Sequence, residues 1–153
     1  MTKCYDYSTG RLSLEYKSNM KFNLELRKPK TQIDGNSGTG KTLLVSILSK
    51  MKQFAQFSNH DYDVSNIVLV TRLDDISKIY NSKESLIIID KGDLLLNGNN
   101  DLIDYITMDH SNHYLIFSRV TFSLGLSPNY FGELVVKDGV ICVQYAFSEE
   151  GWF

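Results

Sequence analysis

The sequence predicts an α/β fold: a three-layer sandwich around a mostly parallel central sheet, with an N-terminal antiparallel hairpin and a C-terminal β-hairpin. Three observations carry that expectation. A glycine-rich loop at 35–42 separates a strand-like segment from a stretch with helical spacing. Short apolar runs at 67–70, 86–89 and 113–117 alternate with helix-like segments, as strands buried on both faces of a parallel sheet do. Period-two segments flank this core at both ends, the second turning through Asp138-Gly139.

Taken in order, residues 1–27 read as β. Arg11–Tyr16 and Phe22–Leu26 alternate around a polar turn at 17–21. The chain then enters a short strand, Thr31–Asp34, through Lys28-Pro29-Lys30. That strand departs from the pattern of a doubly buried one: Gln32 and Asp34 need partners or exposure. The helix after the loop places Leu44, Ile47, Leu48, Met51, Phe54 and Ala55 on one face and runs to about Phe57. After a polar break at 58–61 comes the strand Ile67–Val70, then a short helix capped by Asp74 or Asp75. Strand 86–89, a turn at Leu94–Leu96 and a helix over 101–109 capped by Asn100 follow. Strand 113–117 ends in Ser118-Arg119. The irregular stretch 120–132 carries Phe122, Leu124, Leu126, Tyr130 and Phe131. These either cover the sheet, the favoured reading, or face a partner. Trp152 and Phe153 pose the same choice at the tail.

Composition narrows the partners. At 153 residues the chain is expected to form one domain. A net charge of −2 supplies no global field for nucleic acid. The basic segment Lys17, Lys21, Arg27, Lys28, Lys30 reads as a solvated hairpin face rather than a nucleic-acid patch, for lack of accompanying aromatic or arginine clusters. No apolar run is long enough to span a membrane, and the first residues lack the apolar core of a secretory signal. Cys4 and Cys142 form no metal or redox motif, and His60, His110 and His113 have no paired ligand spacing. A cytoplasmic protein with reduced thiols is expected.

The chemistry concentrates in the glycine loop. Gly35-Asn36-Ser37-Gly38-Thr39-Gly40-Lys41-Thr42 fits G-x-x-x-x-G-K-[ST], the phosphate-binding pattern. The glycines allow the turn and close backbone approach, so amides from Asn36 through Leu43 can surround phosphate oxygens. Lys41 supplies a point charge, and Thr42 offers a hydroxyl to Mg2+. Ser85–Asp90 is the second landmark: four apolar residues deliver Asp90 to the strand's carboxyl end, where it can act on the metal opposite Thr42. Ligands of parallel α/β sheets sit at that edge. It also collects Ser118, a candidate hydrogen-bond donor to a phosphate or attacking water, and Arg119 and Arg72, candidate phosphate sensors.

With residues 35–42 and 86–90, and with an apolar strand between them, the chain resembles the P-loop NTPases over about residues 20–120. The likeness is to the additional-strand group of ABC- and AAA-like ATPases, as a minimal single-domain member. The resemblance implies ATP and Mg2+ as ligands and three segments: a hairpin entry at 1–27, a nucleotide-binding core at 28–120, and a loop, hairpin and tail at 121–153. With Ser118 and Arg119 from the strand ends, the expected catalytic set is Lys41, Asp90, Ser118 and Arg119. Lys91 stands where that group commonly places a catalytic glutamate, which leaves Asp93, Asp74 or Asp75 to substitute. An LSGGQ-like signature is missing. The functional expectation is therefore an ATPase that is slow or depends on a partner. The alternative is a non-hydrolysing, nucleotide-bound interaction module, such as a regulator or inhibitor from a mobile element. A small-molecule kinase ranks third, because Arg11, Arg27, Arg72 and Arg119 form no arginine-rich lid. No guanine-reading motif is present, which favours ATP.

Overall fold

Alternation in the first forty residues builds a hairpin, and the hairpin turns out to be part of the main sheet. The computed structural model describes residues 2–16, 20–35, 40–53, 62–120, 124–126 and 128–145. Strands β1 (Thr2–Lys3) and β2 (Tyr5–Asp6) lead into β3 (Arg11–Tyr16), which pairs antiparallel with β4 (Met20–Glu25). Leu12, Leu14, Phe22 and Leu24 turn to one buried face while Arg11, Glu15, Lys21 and Glu25 stay outside. Next come β5 (Lys30–Asp34), helix α1 (Lys41–Gln53), β6 (Tyr62–Asp63) and β7 (Ile67–Val70). They are followed by α2 (Ser77–Tyr80), β8 (Leu86–Ile89), α3 (Gly92–Leu95), α4 (Asn100–Met108) and β9 (His113–Ser118). β10 (Phe131–Lys137) and β11 (Val140–Tyr145) form the closing hairpin through Asp138-Gly139.

Nine strands make one sheet in the order β2-β3-β4-β11-β10-β5-β9-β8-β7. The run β5-β9-β8-β7 is parallel. The other five strands are the two hairpins and β2, joined to that run by parallel β10–β5 pairing and to each other by parallel β11–β4 pairing. The segments that precede the two sheet edges also meet. β1 pairs with β6, Cys4 N donates to Asp63 O at 3.0 Å, and Asn66 Nδ2 donates to Tyr5 O at 2.9 Å. The edge strands β2 and β7 are thereby drawn toward one another, and the sheet is nearly closed and barrel-like.

This overturns the expected fold. A three-layer P-loop sandwich with a mostly parallel sheet does not form; the protein is predominantly β, with a mixed sheet and few helices. The physical reason lies in the hairpins. As appendages they would present open edges, and a long unpaired edge exposes a row of amide donors and carbonyl acceptors. Merging them into the central sheet satisfies those groups. The helical content is correspondingly small among the described residues: α1 has 13 residues, α4 has nine, and α2 and α3 are single turns.

Two apolar clusters hold the sheet. Leu44, Ile47, Leu48 and Met51 of α1 pack with Ile33, Ile88, Leu115 and Phe117 and with the hairpin residues Leu12, Leu14, Phe22 and Leu24. On the opposite side Ile87, Ile89, Tyr114 and Ile116 meet Leu95, Leu102, Ile106 and Leu124. Burial of Leu124 assigns it to sheet cover; Phe122, Trp152 and Phe153 lie outside the described residues. Asn99, one residue before the expected position, caps α4, its Oδ1 accepting from Leu102 N at 3.3 Å. The polar strand β5 is fully buried at Thr31 and Gln32, where Gln32 Nε2 donates to Asp34 Oδ1 at 3.0 Å and Thr31 Oγ1 to Arg27 O at 3.0 Å. The basic segment is likewise engaged. Lys21 pairs with Glu15, Arg27 lies 3.9 Å from the Tyr145 ring centroid, Lys28 donates to Ser8 O, and Lys30 is buried. Lys17 lies outside the described residues. Among the described residues no helix is long and apolar enough to cross a membrane.

Candidate functional site

Because β5, β9, β8 and β7 run parallel, their carboxyl ends share one edge. Asp34 is in register with Ser118, and Val70 with Ile89. Gly35 N donates to Ser118 O at 3.1 Å and Asp90 N to Val70 O at 2.9 Å, so the ladder continues one residue beyond the strands. The row thus holds Gly35, Ser118, Asp90 and Thr71.

Lys41 opens α1 and lies across this row. It is only 5% exposed, and its Nζ donates to the carbonyls of Gly35 and Ser118, the latter at 3.1 Å. Two glycines make this approach possible. Gly35 has φ +126° and Gly40 φ +108°, conformations that L side chains rarely adopt. A Cβ on Gly40 would also sit 3.3 Å from Ile141 Cδ1, so the loop's end rests against β11. Asn36, Ser37, Gly38 and Thr39 lie outside the described residues. Burial lowers the pKa of Lys41, and the charges of Asp34, Asp90 and Asp93 act in that order to sustain its ammonium form. One cation thus sits within reach of three carboxylates.

The neighbours divide into available and engaged groups. Thr42 is exposed and Asp90 half-buried, while Leu43 packs against the first apolar cluster. Asp93 is 7% exposed and accepts from Arg119 N at 3.3 Å, with the Arg119 guanidinium 3.6 Å from its other oxygen. Arg119 is therefore tethered to α3. The Ser118 hydroxyl donates to Val120 O. Lys91 is exposed, with φ 56° and ψ 47°; its carbonyl accepts from Leu94 N and Leu95 N and starts α3. Arg72 is exposed at the end of β7. Asp75 is held elsewhere: burial pushes its carboxyl up, but the Thr71 amide and hydroxyl and Lys78 outweigh this and hold it at about 2.

The structure brings Lys41, Asp90 and Ser118 to one edge, with Asp34 and the candidate base Asp93 beside them. Asp34 ends the strand before the loop, and Asp93 follows Asp90 by three residues; that spacing was the available signal for the second. The Asp93–Arg119 pairing left no sequence trace. Among the described residues no group of three histidine, cysteine or carboxylate side chains is placed to hold a metal ion. A magnesium ion here would depend on a ligand's own oxygens, with Thr42 and Asp90 each adding one contact; that donor set fits a hard cation carried in on phosphates. His113 serves packing: Tyr7 stacks on it and Tyr5 bonds to it.

No protein-family model matches the chain, and comparison with curated proteins finds no relative. With the mixed, barrel-like sheet, this withdraws membership in the P-loop ATPases, and no family model or relative supports ATP binding or ATPase activity.

Proposed function

We propose that the chain binds a nucleoside triphosphate, ATP by the sequence reading, together with Mg2+ at the carboxyl ends of β5, β8 and β9. Hydrolysis would be slow or dependent on a partner. The observation that supports this best is the buried Lys41 ammonium, parked on the carbonyls of Gly35 and Ser118 at the mouth of a glycine loop. A lysine in that position can exchange two neutral acceptors for phosphate oxygens, and a charge-assisted bond in a partly dry site is stronger than the bonds it replaces. The loop amides would supply donors, and Thr42 and Asp90 would orient the metal-bearing phosphates. Bound Mg2+ supplies charge neutralisation of the phosphates.

A specific observation also supports the non-hydrolysing alternative. Of the acids that could replace a glutamate at Lys91, Asp93 is tied to Arg119 and Asp75 to Thr71 and Lys78. Asp74 is exposed in the turn after β7, the edge strand of the sheet. A general base must reach its proton directly or through one water, and none of these carboxylates is both free and close to Lys41. A protein partner and a cytoplasmic location belong to this reading; Cys4 and Cys142 are free thiols. Incubation of pure protein with radiolabelled ATP and Mg2+ separates the cases. Retained ATP without ADP supports the binding module, slow ADP release supports the weak hydrolase, and transfer to a small acceptor revives the kinase. No retention and no ADP refutes the proposal.

A further inference from the structure

The free edge of the sheet carries a second feature, remote from Lys41 in the residues that build it. A cavity of about 500 Å³ opens beside β7, flanked by Lys52 of α1, Arg72 after the strand, and Lys78 and Asn81 at α2. The walls hold three cations and one acid, Asp75, which already pairs with Lys78 at 2.9 Å. Two positive charges are thus left over. Lys52 feels the imbalance: burial lowers its pKa first, the charge of Lys78 lowers it further, and only Asp63 opposes. Its ammonium rests on the carbonyls of Ile67 at 2.6 Å and Val64 at 3.3 Å rather than on a carboxylate. Arg72 forms no ion pair among the described residues.

The backbone at this edge decides what kind of ligand fits. Asn66 and Val70 turn their carbonyls to β8, accepting from Leu86 and Asp90, so Ile67, Leu69 and Thr71 face outward. Ile67 is already satisfied by Val64 O and Lys52, and Thr71 N by Asp75 at 3.0 Å. An added peptide strand would find one residue, Leu69, to pair with, which is too little for strand addition. A compact anion needs only one such donor plus the surrounding cations. The volume lies within the range of small-molecule pockets.

We propose that this cavity is a binding site for a small, multiply charged anion of the phosphate-ester or polycarboxylate class, with Arg72, Lys52 and Lys78 as its contacts. The probe is inorganic pyrophosphate, titrated by amide NMR into the full chain carrying Lys41→Ala, so that the loop site cannot account for the signal. The expected result is saturable shifts confined to residues lining the cavity, such as Leu69, Arg72 and Asn81. Arg72→Ala should weaken the fitted affinity about tenfold, and Arg72→Glu should abolish it. Lys52→Ala could unsettle β7, so the exposed Arg72 variants decide. Absent or non-saturating shifts, shifts elsewhere, or affinities unchanged by Arg72→Glu would overturn the proposal. So would a glutamate-rich peptide that binds this edge when pyrophosphate does not.

Discussion

Lys41 Nζ donates to the carbonyl of Ser118 at 3.1 Å, which fastens the first residue of α1 to the last residue of β9. The contact spans 77 positions of sequence and ties the start of α1 to the sheet edge. It also sets the resting state of the proposed site, because the ammonium is held where phosphate oxygens would arrive.

Gly40 limits how that loop can vary. At φ +108°, with Ile141 Cδ1 3.3 Å from the position of a Cβ, Gly40→Ala incurs both backbone strain and a contact that must give way. A loss of about 1–3 kcal/mol in unfolding free energy is expected. Urea denaturation measures it, and an unchanged midpoint would show that the loop leaves this conformation freely.

Arg119 is predicted to act on Asp93 before anything else. Arg119→Ala leaves a carboxylate only 7% exposed without its cation. Since Arg119 itself is more than half exposed, the expected loss is about 1 kcal/mol. Asp93→Asn in the same chain should recover much of it. A double-mutant cycle with no coupling would contradict the pairing.

The Tyr5–His113 contact predicts a pH dependence. Tyr5 Oη lies 2.5 Å from His113 Nδ1, and Tyr7 stacks on the ring with centroids 3.8 Å apart. Burial, then Lys28 and Lys30, lowers His113 from the ordinary 6.5 to about 4. The folded form keeps the imidazole neutral, so Nδ1 accepts from the tyrosine. Below about pH 6.5 the unfolded chain takes up a proton that the folded chain refuses until about pH 4. Stability is therefore complete above that window and falls as pH drops through it. Moving from about pH 7.5 to about pH 5 should cost about 1 kcal/mol, half the unscreened linkage value because the ring is only half-buried. His113→Gln should flatten this slope. Further losses at lower pH belong to Asp75 and Asp109, each held at about 2.

Local pattern made part of this structure legible. Strands at 67–70, 86–89 and 113–117, the hairpin through Asp138-Gly139 and a helix after the glycine loop all follow from periodicity and turn chemistry. So does the convergence of Lys41, Asp90 and Ser118, because parallel strands share an edge. The fold class is not legible in the same way, because hydrophobic alternation reports which face of a strand is buried and says nothing about which strand lies beside it. The β11–β4 and β10–β5 pairings, which merge the hairpins into the sheet, are long-range and parallel. The β1–β6 contact that bends the edges together rests on two residues of each strand, too short to register as a pattern. Tyr5 with His113 and Asp93 with Arg119 depend on those long-range choices and were invisible for the same reason.

Calorimetric titration of Mg·ATP into the native chain and into Lys41→Ala, with circular dichroism to confirm folding, bears most directly on the proposed site. Saturable binding by the native chain that weakens at least about tenfold in a folded Lys41→Ala is the predicted result. Equal affinities in the two folded proteins, or no binding by either, would contradict it.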